Sequence, residues 1–252
     1  MRWFRDHLPD SGAAVRNISD EVTGFAIAGP KSRELLAAVT GQDVSANAFP
    51  FMTCRDMDVG LCRAKVARLS VSGELGYEIN LPASQQRALY GVLLEAGRGF
   101  GLVQIGYNAL NSLRMEKSFG IWSREYTWAY TPGMSGLDRF IAFGKKDFIG
   151  RDVALKEREQ APPQRRLVTL EIDAEDADAS GFEPVWIGDR RIGFVTSGAF
   201  GHCVGKSLAM AYLDRAVAEA GTGVEIHIVG ARRRARVVPG PILDPAGERM
   251  RR

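Results

Sequence analysis

PVWIGDRRIGFVTSGAFGHCVGKSLAMAYLDRAVAEAGTGVEIHIVGARRRARVV, residues 184–238, decides the architecture of the chain's second half. Short runs rich in β-branched and aromatic residues, at 184–187, 191–196, 207–213, 224–229 and 232–238, alternate with glycine-centred breaks. Gly188-Asp189 and Gly230 stand where two-residue or bulged hairpins place them. With a further run at 167–172 there are six short strands in roughly 90 residues, the pattern of a small antiparallel barrel. Ala161-Pro162-Pro163 ahead of them reads as a linker.

Upstream of the linker, strand-like and helix-like periods alternate. Residues 25–28 read as a strand running into Gly29-Pro30, and Pro30 suits a first helical turn because its missing N–H costs nothing there. Leu35, Leu36 and Val39 form an apolar stripe, with Gly41 as a stop signal. A strand is predicted over 61–71. Gly73 and Gly76 bracket a turn that leads into strict alternation at 77–81. Tyr77, Ile79 and Leu81 share one face of that strand, and Glu78 and Asn80 share the other. Ser84 is the expected N-cap of a helix to Ala96 with Leu89, Leu93 and Ala96 inward. Helices are also predicted over 107–117 and 151–159, separated by a long ordered loop at 119–135. The fold class is therefore α+β, divided into domains at 1–160 and 161–252.

Bulk properties narrow the function. The 252 residues are 45% hydrophobic and 25% charged, with a net charge of +3, too little for a nucleic-acid footprint. Arg232, Arg233, Arg234 and Arg236 read as a solvated strand face, and Arg251 and Arg252 as a frayed basic tail. Cys54, Cys62 and Cys203 have neither metal nor redox spacing, which predicts small buried thiols in a reducing compartment and no metal. No apolar leader follows Met1, and no run approaches the ~18 apolar residues of a membrane span. A cytoplasmic location without membrane contact is expected. No Walker loop, zinc spacing or nucleophile elbow occurs, and without GxGxxG no FAD or other dinucleotide turn is expected in this chain.

The polar candidates fall in two stretches. In Ser72-Gly73-Glu74-Leu75-Gly76-Tyr77-Glu78, the glycines place Glu74 in a turn and Glu78 on the polar side of a strand. Glu78 there either faces water or accepts paired hydrogen bonds from a pterin- or guanine-like edge. In residues 108–118, NALNSLRMEKS, Arg114 and Lys117 sit at a helix end, where the macrodipole is sufficient reason for them. Trp122, Tyr126, Trp128 and Tyr130 in the following loop either stack on a flat ligand or pack the loop down.

These segments carry a family resemblance. SGELGYEINLP is similar to the TGEDGxE turn and strand of glycine-cleavage T-proteins. NALNSLRMEKSFGIWSRE resembles the helix and loop in the folate domains of dimethylglycine and sarcosine dehydrogenases. KKDFIGRDVALKE and RIGFVTSGAFGHCVGKSLAMAYL resemble the family's KxDFIGRxAL segment and barrel signature. The four matches run in family order from about residue 22 onward. The resemblance implies an aminomethyltransferase-like, βαβ-rich folate-binding domain followed by an antiparallel β-barrel. It implies a tetrahydrofolate cofactor and transfer of a one-carbon unit from a small amine-derived substrate. It also implies partnership with an FAD-dependent oxidoreductase domain or subunit.

On this resemblance the folate-contacting set is Glu78, Tyr77, Arg114 and Trp122. The family's catalytic aspartate belongs to a segment without counterpart here, so no catalytic residue is assigned. A fragment, a mis-started product or a subunit completed by another polypeptide would each account for that. Several folate contacts are replaced as well. Val71 stands for an aromatic, Leu110 for an arginine and Met134 for an acid, while Asp244-Pro245-Ala246-Gly247 lacks a neighbouring tyrosine. A non-catalytic folate-binding, scaffold or regulatory module is therefore the alternative. The iron–sulfur maintenance branch is disfavoured because KGCYxGQE is absent.

Overall fold

A computed structural model describes residues 1–252. It contains two compact units. One comprises Met1–Ser70, Glu74–Gln104 and Glu248–Arg252; the other comprises Val71–Gly73 and Ile105–Gly247.

The first unit opens with helix α1 (Arg2–Asp6), which buries no residue. Strand β1 (Val22–Ala28), helix α2 (Ser32–Val39), strands β2 (Cys54–Val59), β3 (Cys62–Ala67) and β4 (Gly76–Pro82), and helix α3 (Gln86–Gly97) follow. The sheet order is β1-β4-β3-β2, and every pairing is antiparallel. Alternation sends Met57, Val59, Ala64, Val66, Tyr77, Ile79 and Leu81 to one face, where Leu35, Leu36, Leu89 and Leu93 of the helices complete the core. Leu36, Phe49, Met57, Ile79 and Leu89 are fully excluded from water.

Several boundaries differ from expectation. Residues 54–59 form a strand that the pattern does not predict, because alternate charges in CRDMDV mask two inward residues. The 61–71 run stops pairing at Ala67 and becomes the Gly73 turn. Ser84 caps nothing: a 3₁₀ turn at Ala83–Gln85 precedes α3, whose N-cap is Gln85. The basic tail is not frayed. Residues Glu248–Arg251 form a helical turn, Arg249 pairs with Glu74 at 2.8 Å, and the buried Arg68 guanidinium donates to the main-chain oxygens of Arg251 and Arg252.

The second unit contains α4 (Tyr107–Glu116), α5 (Pro132–Ser135) and α6 (Arg151–Glu159). Strands β5 (Arg165–Ile172), β6 (Pro184–Ile187), β7 (Arg190–Gly201), β8 (Lys206–Asp214), β9 (Gly223–Ile228) and β10 (Ala231–Val238) follow. The strands close as β10-β5-β8-β7-β6-β9, the expected six-stranded antiparallel barrel. At the β9–β10 turn Val229 and Gly230 both have positive φ, 45° and 78°, as a two-residue type I′ hairpin requires. Strand β7 extends five residues beyond the expected end at Thr196, through an irregularity between Val195 and Ser197. Its extension is what α4 packs upon. Asn111 Nδ2 donates to the Gly198 carbonyl at 3.2 Å and the Ser112 hydroxyl to the Phe200 carbonyl at 2.6 Å.

The basic strand β10 is ion-paired rather than free. Arg236 bonds Glu171 at 3.1 Å, and Lys206 approaches the same carboxylate at 3.2 Å. Burial alone would raise the Glu171 pKa, but the hydrogen bonds from Arg236 and Lys206 outweigh it and hold the carboxyl below its ordinary value of 4.5. Because the folded value is depressed, the stabilisation exists above pH 4.5 and is lost as pH falls through the lowered value. Glu171→Gln should therefore cost about 1 kcal/mol at neutral pH, and urea titrations should converge with the parent once the Glu171 carboxyl is protonated in both the folded and the unfolded chain.

Candidate functional site

In the sheet unit, Glu78 occupies β4, an interior strand, on the face opposite the helices. It is half-buried, and its cross-strand neighbours are Ala26 of β1 and Ala67 of β3. Two residues on, Asn80 lies between Gly24 and Lys65. Small residues beside Glu78 leave its carboxylate accessible along the sheet surface, and none of this unit's ion pairs or side-chain hydrogen bonds uses it. That geometry suits an acceptor for two parallel N–H donors on a flat ring.

Tyr77 has the opposite parity. It is 1% exposed, its ring centroid lies 5.7 Å from that of Phe49, and its hydroxyl has no hydrogen-bond partner. The expectation of a ligand contact at Tyr77 is corrected by strand alternation: its side chain is in the core, away from the Glu78 face.

The barrel unit holds a second polar constellation, centred on α4. Arg114 is 3% exposed and Glu125 fully buried; their closest N···O distance is 3.4 Å. Arg114 Nε also donates to Asn111 Oδ1 at 2.9 Å, and Nη1 to the Phe119 carbonyl at 2.8 Å. Glu125 accepts from the Ile121 N–H at 3.0 Å and from the Thr196 hydroxyl of β7 at 2.5 Å. Burial pulls the Arg114 guanidinium below its ordinary pKa, with Glu125 opposing the shift. Glu116 Oε1 accepts from the Cys203 and Val204 N–H groups at 2.6 and 3.2 Å, on the β7–β8 hairpin. Lys117 donates to the Asp244 carbonyl at 2.6 Å, and a Cβ on Gly73, where φ is 80°, would collide with its aliphatic stem.

The helix dipole is therefore not the main reason for Arg114 and Lys117, which are 3% and 2% exposed. Both are buried polar anchors, which helix position alone does not reveal.

The loop aromatics divide. Tyr130 packs on Tyr212 with centroids 4.0 Å apart, and the Tyr212 hydroxyl donates to the Glu125 carbonyl at 2.8 Å. Burial raises the pKa of Tyr126, Tyr130 and Tyr212 alike. Trp122 and Trp128 instead point outward, with Trp122 82% exposed. Of the replaced positions, Val71 is exposed, while Leu110 and Met134 are half-buried. Cys62 is buried as expected, but Cys54 and Cys203 are exposed, one on the outward side of β2 and one at a hairpin tip. No group of three or more His, Cys, Asp or Glu is arranged to hold a metal. No helix is long and apolar enough to cross a membrane.

Comparison with known proteins finds matches for both parts of the chain. Residues 1–145 match the GCVT N-terminal domain, and residues 165–244 match the glycine cleavage T-protein C-terminal barrel domain. The chain belongs to the glycine-cleavage T-protein family of aminomethyltransferases and their relatives.

Among those relatives is the mitochondrial dimethylglycine dehydrogenase of Homo sapiens, 32% identical over 257 residues, covering 100% of this chain and 30% of that protein. The aminomethyltransferase of Caldanaerobacter subterraneus subsp. tengcongensis is 32% identical over 227 residues, covering 90% of this chain and 60% of that one. The glycine cleavage system aminomethyltransferase T from Bartonella henselae superimposes with a TM-score of 0.78 at 27% identity, over 89% of this chain and 60% of that chain. The chain thus spans less than two thirds of these relatives' lengths.

Proposed function

We propose that this chain binds tetrahydrofolate and serves one-carbon transfer in a glycine cleavage-like or dimethylglycine/sarcosine-type demethylating system. The observation that carries the reading is Glu78, an uncommitted, half-buried carboxylate on an interior strand, flanked by alanines and lying in the family's own motif. The carboxylate would accept paired hydrogen bonds from the pterin ring. Tyr77 would act from beneath by fixing the strand in the core. Tetrahydrofolate supplies the nucleophilic nitrogens that accept the one-carbon unit; the protein's part is to orient it and limit water.

The matched family domains support a folate-binding domain over 1–160 and a barrel domain over 161–252. The resemblance to a dimethylglycine dehydrogenase supports an oxidoreductase domain or subunit as partner, with a small amine-derived substrate. A cytoplasmic setting is part of the same proposal.

Calorimetry with tetrahydrofolate tests the reading. Glu78→Gln should weaken binding by about 10- to 100-fold, the worth of charge-assisted hydrogen bonds. Thermal stability should stay unchanged, because Glu78 is not in the core. A folded parent chain giving no binding heat at high ligand concentration would sink it. Leu110 and Val71, which replace family folate contacts, favour the second reading, a scaffold module that kept the fold. Failure to bind folate would leave that reading standing.

A further inference from the structure

Glu78 does not stand alone on the open face of the sheet. Asn80 follows it on β4 at the same parity, about 7 Å further along the strand. Both side chains are half-buried, and none of this unit's ion pairs or side-chain hydrogen bonds uses either of them. An amide carries two donors and an acceptor, which ordinarily find partners where water is partly excluded.

The neighbours of Asn80 leave its amide uncommitted. On one side its register partner is Lys65 of β3, whose ammonium is taken by Asp56 at 2.9 Å. On the other side its partner is Gly24 of β1, and a Cβ there would lie 2.8 Å from Asn80 Oδ1. No positive φ calls for glycine at that position, and glycine weakens a strand interior. What Gly24 provides is room for the amide that lies over it. Together with Ala26 beside Glu78, it makes a low, exposed floor on β1, along which a flat ring can lie with one edge against β4.

An acceptor and an amide at successive positions of one face match a particular ring edge. A pterin or a guanine presents an exocyclic amine, a ring N–H and a carbonyl oxygen in a row, two donors followed by an acceptor. The Glu78 carboxylate suits the two donors but has nothing to offer the carbonyl. We propose that Asn80 is a second ligand-contacting residue, its amide donating to the ring carbonyl while Glu78 accepts from the amine and the ring N–H, and that Gly24 keeps open the space the amide occupies. The inference rests on the folate reading above and assigns the part of the ring that this face selects.

Calorimetry with tetrahydrofolate on Asn80→Ala, Gly24→Ala and the double variant tests it. Asn80→Ala should weaken binding by roughly 3–10-fold, the worth of one neutral hydrogen bond. Gly24→Ala should weaken it by a similar factor, because the added methyl displaces the amide, and should have no further effect in the Asn80→Ala background. Melting temperatures should move little, since neither residue belongs to the core. Unchanged binding in Asn80→Ala overturns the proposal. Equal weakening by Gly24→Ala in both backgrounds also overturns it, because the methyl would then act without the amide. A methylated pterin that lacks the aryl tail separates this outcome from failure of the folate reading. If the parent chain binds that ring but not tetrahydrofolate, the folate reading falls and the same cycle on the pterin decides the role of Asn80. A parent chain that binds neither overturns both.

Discussion

Glu125→Leu is expected to lower the unfolding free energy by about 3–5 kcal/mol, read as an earlier midpoint in urea at unchanged slope. The carboxylate is fully buried and engages Arg114, the Ile121 N–H and the Thr196 hydroxyl. Removing it leaves a guanidinium at 3% exposure with only neutral acceptors, the Asn111 side chain and the Phe119 carbonyl. A charge left in that setting costs far more than the intact pair contributed, because its desolvation is no longer offset. Arg114→Met combined with Glu125→Leu should recover much of the loss, since both charges then disappear together. If the single and double variants are equally unstable, the ion pair is not the source of the effect. If the single variant is neutral, Glu125 is not buried as described.

Gly193→Ala should destabilise the barrel by about 3 kcal/mol, near the top of the usual overpacking range. Gly193 lies on β7 opposite Leu213 of β8. A Cβ there would sit 2.1 Å from the Tyr212 carbonyl oxygen and 2.8 Å from Leu213 Cδ2. The first obstacle is backbone in a closed sheet and cannot swing aside. The strands must therefore part by roughly 1 Å, which breaks close packing on both sides. Gly188→Ala, where no atom lies within 4 Å but φ is 57°, should cost less, because only local backbone strain opposes it. The order of the two melting temperatures is the check; a Gly193 variant as stable as the parent would mean that β7 and β8 are not in this register.

Much of the fold is legible in the residues, because it rests on local periodicity. The hairpin breaks at Gly188 and Gly230 and the six apolar runs specify short antiparallel strands, and strands of that number close upon themselves to remove their edges. Helix α6 begins and ends where its pattern says. The parity of β4 likewise puts Glu78 and Tyr77 on opposite faces, although only the structure shows that the Tyr77 face is the sealed one. Strand β2 escaped because two inward residues among alternate charges make a weak signal, which becomes a strand only through pairing with β3.

The buried polar chemistry was not legible. Arg114 and Lys117 read as complements to a helix dipole, and nothing in the spacing of Arg114, Glu116 and Lys117 announces partners at Glu125, Cys203 and Asp244, which lie 11, 87 and 127 residues away. Whether a charged residue faces water or another charge depends on what the chain folds over it. The sequence by itself determined strand parity, barrel class and family membership, since each is carried by short-range pattern or motif. The tertiary structure alone decided that the charges of α4 are buried and that Trp122 is exposed, because burial and long-range pairing exist only once distant segments meet.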